Sequence, residues 1–131
     1  MNRIVKIKEK IGVVIPCYKV KNQILDVLKN IPELVDYIYV IDDACPEMTG
    51  KYVEENFTDT RIQVILHEKN KGVGAAVMSG YSAAIKQGVE IVVKIGGDGQ
   101  MDPHLISKFI YPIIIGDADY IKGNRFYNRD V

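Results

Sequence analysis

The sequence lacks any excess of charge of one sign: 17 Lys+Arg stand against 17 Asp+Glu. No general field therefore draws the chain to nucleic acid or to anionic lipid. The small basic group Lys6, Lys8 and Lys10 reads as a solvated strand edge. Cysteine is scarce too. Cys17 and Cys45, the only two, fit neither a disulfide framework nor a zinc spacing, and they read as reduced thiols of a cytoplasmic chain. His67 and His104, also the only two of their kind, stand far apart with no Cys or Ser arranged beside them for nucleophilic catalysis. They read as surface or packing residues. No apolar run approaches the roughly 20 residues of a membrane helix, and the first residues lack the apolar core of a signal peptide. Linkers rich in Ser, Pro or Gly, repeats and low-complexity stretches are all missing. What remains is 131 residues, 47% of them hydrophobic, enough for one packed core in one domain.

Hydrophobic spacing organises that domain. Residues 11–16 (IGVVIP) form a nearly continuous, β-branched apolar run, the pattern of a strand buried on both faces. Ile24, Val27, Leu28 and Ile31 recur at helical spacing before Pro32. Residues 37–41 (YIYVI) predict a second strand ending at Asp42 and Asp43, and Met48, Tyr52 and Val53 a short helix after it despite Gly50. A third strand is predicted at residues 62–66 (IQVIL) and a fourth at 91–95 (IVVKI). Between them, over residues 72–87, Val73, Ala76, Val77, Gly80, Tyr81, Ala84 and Ile85 line one helical face. Asp102-Pro103 supplies an N-cap with proline in the first turn of a helix expected to run to about Tyr111, before Pro112. Residues 120–122 complete the series as a fifth strand. Strict strand–helix alternation predicts an α/β fold: an open, mostly parallel sheet with helices on both faces.

Ligands of such sheets bind at the carboxyl ends of the strands. Four segments fall there: residues 16–19, 42–44, 70–74 and 96–102. Each has a plainer reading, since proline, Asp pairs and glycines all serve as turn formers and caps. Together they match what a nucleotide needs. Asp42 or Asp43 can accept hydrogen bonds from a base or a ribose, Gly72 and Gly74 allow close backbone approach, and a helix starting near Gly74 offers free amides to phosphate. The glycines follow the third strand and so are not a dinucleotide fingerprint, and no Walker loop is present. Asp98, Gln100 and Asp102 crowd oxygen donors into one turn, a composition suited to Mg2+ or Mn2+ held jointly with substrate phosphates. Asp102 is explained by capping alone; Asp98 is not. The tyrosines follow the strand and helix patterns and read as core or rim.

With these residues in place, the chain resembles the GT-A-fold, family 2 glycosyltransferases, in particular the dolichyl- or polyprenyl-phosphate sugar transferase branch. The resemblance rests on residues 14–18 (VIPCY), 40–44 (VIDDA), 70–76 (NKGVGAA), 94–103 (KIGGDGQMDP) and 123–126 (GNRF), in the family's order. It implies a Rossmann-like fold that binds a nucleotide-diphosphate sugar donor and, in the intact protein, passes the sugar with inversion to a lipid-phosphate or glycan acceptor. Position by position it implies that Pro16 and Tyr18 line the base pocket and that Asp42 contacts the base or ribose. Gly72 and Gly74 would lie against the nucleotide, Asp98 and Gln100 at a divalent metal and the diphosphate, and Arg125 facing phosphate or acceptor.

Two departures qualify the resemblance. The family's metal motif reads Asp, any residue, Asp, and the first position here is Gly96, which has no side chain to coordinate with. Family members also continue past the GNRF segment into an acceptor-binding half, so a truncated chain is expected, working at the inner face of a membrane in the intact protein. A non-catalytic nucleotide-binding domain is the rival reading. A phospho-receiver domain fits less well, because its acidic pair follows the first strand and this one follows the second.

Overall fold

A computed structural model describes residues 9–108. Strands Ile11–Cys17 (β1), Tyr37–Asp42 (β2), Ile62–Leu66 (β3) and Ile91–Lys94 (β4) alternate with helices Lys21–Lys29 (α1), Thr49–Asn56 (α2) and Val73–Lys86 (α3). The strands form one parallel sheet in the order β3-β2-β1-β4. The elements expected up to residue 95 are therefore present, with only their ends shifted. The predicted helix after Asp102 opens as a 3-10 turn over Pro103–Leu105, and Asp102 caps it by accepting the His104 amide at 2.9 Å. The expected end of that helix near Tyr111, the strand at residues 120–122, and Arg125 all lie outside the described residues.

Burial on both faces explains why β1 and β2 are so apolar. Side chains alternate across a strand. Val13 and Ile15 accordingly join Ile24, Val27 and Leu28 of α1 and Val53 of α2 in one buried cluster. Val14 points the other way, into a second cluster with Tyr39 and Ile41 of β2 and Ala76 and Ala84 of α3. Thus α1 and α2 cover one face and α3 covers the other.

α3 packs through its smallest residues. Its buried positions are Ala76, Gly80 and Ala84, one stripe at a spacing of four. A Cβ on Gly80 would lie 2.5 Å from Val14 Cγ1 and 3.0 Å from Ile41 Cδ1, so the helix backbone sits directly on the sheet. The sequence pattern predicts a broader face, but Val73 is 64% exposed and Ile85 73% exposed. Val73 heads the helix in its first turn, and Ile85 is rotated about 100° from Ala84. The small stripe of Ala76, Gly80 and Ala84 faces the sheet at this close seat, and Val73 and Ile85 lie off it.

The strand register levels the carboxyl edge. Cys17 pairs with Asp42, and Asp42 with Leu66, so three strands end side by side. From β1 the chain steps outward to β2 and β3 and then returns to the far side of β1 as β4. Reversals of this kind open a crevice above the carboxyl ends. The packing predicts that Gly80→Val, which forces α3 off Val14, lowers stability by about 2 kcal/mol or more. Urea denaturation midpoints measure this, and a midpoint equal to wild type would contradict the close approach.

Candidate functional site

A cleft of about 220 Å³ opens at this carboxyl edge, lined by Pro16 and Cys17 at the end of β1, Tyr18 just after it, Asp43 after β2, Asn70 and Gly72 from the loop before α3, and Val73 and Ala76 at the start of α3. It is smaller than the roughly 300–1,000 Å³ of sites that engulf a whole ligand. One end of a ligand fits it. Tyr18 is 45% exposed at the rim, with Lys19 Nζ 5.5 Å from its ring centroid. Cys17 is buried, and burial, reinforced by Asp42 and Cys45, pushes its thiol well above the usual range. It serves as wall rather than as nucleophile.

Asp43 is the polar centre of the cleft. Its side chain is almost wholly buried, and its carboxylate accepts the Lys71 amide at 2.8 Å on Oδ1 and the Gly72 amide at 2.7 Å on Oδ2. His67 Nδ1 lies 2.8 Å from Oδ1, and Asn70 Nδ2 donates to the Asp43 carbonyl at 3.2 Å. Burial opposes ionisation, but the His67 and backbone hydrogen bonds outweigh it, so the carboxyl titrates below its ordinary range. Gly72 adopts φ +96° as the residue before α3, with nothing within 4 Å of a Cβ; conformation, not space, demands glycine there. α3 begins at Val73, within the span 72–87 read from the sequence, so Gly74 lies inside the first turn rather than ahead of it.

Asp42 goes elsewhere. As the last residue of β2 it turns to the side opposite Asp43, and its oxygens accept the amides of Cys45 and Gly50, each at 2.8 Å. Both are buried bonds that fold the β2–α2 loop back onto β2. A Cβ on Gly50 would meet Leu66 Cδ2 at 2.7 Å, which is why a glycine stands in that helix. Nearby, the buried Cys45 thiol accepts the Lys19 amide at 3.0 Å and ties the β1–α1 loop to the β2–α2 loop. Of the two aspartates that suit a base or ribose, Asp42 staples a loop and Asp43 lines the cleft.

The glycine-rich turn after β4 lies at the same edge. A Cβ on Gly97 would lie 3.2 Å from Cys17 Sγ and 3.0 Å from Val20 Cγ2, so the turn is pressed against the β1–α1 junction. Asp98 and Gln100 are exposed, and Asp98 Oδ1 accepts the Gln100 amide at 3.1 Å. A Cβ on Gly96 would point at Asp98 Oδ1, 3.1 Å away. Among the described residues no group of three or more His, Cys, Asp or Glu is placed to hold a metal. The donor set therefore fits a divalent cation only as one carboxylate shared with ligand phosphates, the arrangement Mg2+ commonly adopts.

The expected residues thus fall into three places. Pro16, Tyr18, Asp43 and Gly72 line one cleft; Asp98 and Gln100 sit on the neighbouring turn; Asp42 and Gly74 do not line the cleft. His67 is the residue that sequence reasoning missed as a participant. It directly follows β3, the position the strand-end rule singles out, and it is bonded at both ring nitrogens.

The family model described as Glycosyl transferase family 2 matches residues 12–131. The chain belongs to that family. It is 33% identical over 132 residues to the UDP-N-acetylglucosamine--dolichyl-phosphate N-acetylglucosaminyltransferase of Methanococcus voltae, with 90% of this chain and 53% of that protein covered. It is 27% identical over 128 residues to the dolichol-phosphate mannosyltransferase of Pyrococcus furiosus, with 91% and 36% covered. The chain therefore spans about half the length, or less, of these relatives. Among solved structures, S. aureus TarS in complex with UDP superposes with a TM-score of 0.61 at 22% identity, over 79% of this chain and 32% of that one. That likeness supports the GT-A-type, Rossmann-like fold. No helix among the described residues is long and apolar enough to cross a membrane.

The depressed Asp43 carboxyl gives a pH prediction. A group whose folded value lies below its unfolded value of about 3.9 adds stability above that pH and loses it as pH falls through the folded value. Asp43→Asn should therefore lower stability at neutral pH, by on the order of 1 kcal/mol or more. The gap to wild type should close in acid. A gap that stays constant from neutral pH down to acid unfolding would contradict the assignment.

Proposed function

We propose that this chain is the donor-binding part of an inverting glycosyltransferase that takes a nucleotide-diphosphate sugar and, in the intact protein, transfers the sugar to a polyprenyl- or dolichyl-phosphate. The observation that carries the reading is Asp43. A buried carboxylate kept ionised by two backbone amides, in a cleft sized for one end of a ligand, is a recognition group for N–H or O–H donors. Pro16 and Tyr18 supply the apolar wall and rim against which a base can lie. The first amides of α3, which have no partner within the helix, face the same edge and suit the anionic side of a nucleotide.

Asp98 and Gln100 would hold Mg2+ or Mn2+ together with the diphosphate. When bound, such a cation neutralises charge on the departing nucleoside diphosphate. The remaining work of the chain is positional: it fixes the nucleoside end so that the sugar projects beyond the β4 turn. Displacement at the anomeric carbon by an acceptor oxygen inverts configuration with no covalent enzyme intermediate. A phosphate acceptor suits this geometry. Its second ionisation lies near pH 6, so its oxygen needs no base, and among the described residues the cleft offers no carboxylate besides Asp43. The relatives named above act on dolichyl phosphates, which supports the same acceptor class.

Gly96 favours a second reading, a domain that binds donor without turning it over. One substitution separates the two. Because the Gly96 Cβ direction faces Asp98, Gly96→Asp would place two carboxylates around a common point. Calorimetric titration with UDP- and GDP-sugars, with and without Mn2+, should give binding to wild type and Mn2+-dependent binding about tenfold tighter in Gly96→Asp. The absence of any heat or thermal shift with every donor would overturn the binding site. Equal Mn2+ dependence in both proteins would show that the missing carboxylate is not what limits the metal.

A further inference from the structure

His67 is held on both sides. Its Nδ1 is 2.8 Å from Asp43 Oδ1 and its Nε2 is 2.8 Å from Ser79 Oγ in α3, with the side chain 8% exposed. An ionised carboxylate only accepts, so the proton sits on Nδ1, and in the neutral ring Nε2 accepts from the Ser79 hydroxyl. The chain of donors runs Ser79 to His67 to Asp43. This is the connectivity of a nucleophilic triad, but Ser79 lies mid-helix, where neighbouring amides are committed to helical bonds and no oxyanion site can form. The chain therefore acts on Asp43 rather than on Ser79.

Counting acceptor sites shows what it does there. A carboxylate offers about four lone-pair sites, two on each oxygen. Oδ1 takes His67 Nδ1 and the Lys71 amide, and Oδ2 takes the Gly72 amide. Counting the bonds made by the described residues, Oδ1 is full and one site remains, on Oδ2. Asp43 can thus accept one ligand donor and not two. Guanine presents two adjacent donors, N1–H and the N2 amino group, which ask for both oxygens of a carboxylate. Uracil presents the single N3–H. Cytosine seated as uracil is would set its N3 lone pair against the carboxylate and its N4 amino donor where uracil has the O4 acceptor.

We infer that His67 is a positioning and specificity-determining residue which, by filling Oδ1 and fixing the Asp43 carboxylate, makes the cleft select a uracil nucleotide over guanine and cytosine nucleotides. This rests on the nucleotide reading of the cleft proposed above. His67 touches no ligand in this scheme; it acts through Asp43, and Ser79 fixes its ring.

The test is a calorimetric panel of UDP, GDP and CDP against wild type, His67→Ala, His67→Asn and Ser79→Ala of the full chain, with thermal denaturation to register folding. Wild type should bind UDP about tenfold or more tighter than GDP or CDP, the scale of one unsatisfied buried hydrogen bond. His67→Ala frees a site on Oδ1 and should narrow the UDP:GDP ratio to about threefold or less. His67→Asn, whose amide nitrogen can replace Nδ1, should restore the ratio. Ser79→Ala should weaken UDP binding about two- to fivefold with the fold intact. A merely structural histidine would lower all three affinities together and leave the ratio unchanged, and that result overturns the proposal, as does equal wild-type affinity for UDP and CDP. Wild type binding no nucleotide at all would remove the cleft reading itself, and this inference with it. A ligand-free check covers a His67→Ala protein that fails to fold: nitrogen-15 shifts of His67 in wild type should show a proton on Nδ1. A ring protonated on Nε2 alone overturns the relay.

Discussion

Two consecutive carboxylates at the end of β2 hold the functional edge together. Because successive side chains of a strand point to opposite faces, Asp42 and Asp43 reach different loops. Asp42 gathers the amides of Cys45 and Gly50, and Asp43 gathers those of Lys71 and Gly72. Each bond joins a buried charge to a backbone donor that would otherwise lack a partner. Bonds of this type contribute more than neutral ones, about 1.5–3 kcal/mol each, and breaking one leaves a buried polar group unsatisfied. The loops on both sides of the sheet are therefore tied to a single point at the strand end.

That point is steady because of the packing below it. The small-residue stripe Ala76, Gly80 and Ala84 lets α3 settle directly on Val14 and Ile41. The height of α3 over the sheet then fixes where its first turn and Ser79 stand, and hence whether His67 can bridge from β3 to the helix. A bulkier stripe would lift the helix and open the Ser79–His67–Asp43 chain before it touched the cleft. Core packing and the geometry of the cleft are in this sense one constraint: a helix close enough to bury glycine is also close enough to orient a carboxylate.

The sheet and its helices are legible in the sequence because burial on both faces leaves a continuous apolar run, as at residues 11–16, and burial on one side leaves helical spacing, as in α3. The edge carrying the site is legible too, since it follows from alternation alone. The division of labour between Asp42 and Asp43 is not. It depends on which loop folds back to which face, and nothing in the string DDA specifies that. His67 is hidden for a related reason. Its partners Asp43 and Ser79 are 24 and 12 residues away, brought together only by the parallel register and the close seat of α3. Gly50 illustrates the reverse error: a glycine that weakens the helix pattern in sequence is required in space by Leu66, Val64 and Asp42.

The two halves of the candidate site also differ in how much the protein prepares in advance. At the Asp43 cleft the donors and acceptors are buried, bonded and fixed, so little reorganisation is left for a ligand to impose. On the turn after β4, Asp98 is exposed beside a glycine whose missing side chain would have faced it. Two carboxylates at that separation repel unless a cation sits between them. With Gly96 the turn carries no such repulsion, but it also has less charge with which to attract a cation. In the proposed binding mode, affinity for a nucleotide would reside mainly in the Asp43 cleft, and the diphosphate would bring most of the oxygen ligands that a cation needs.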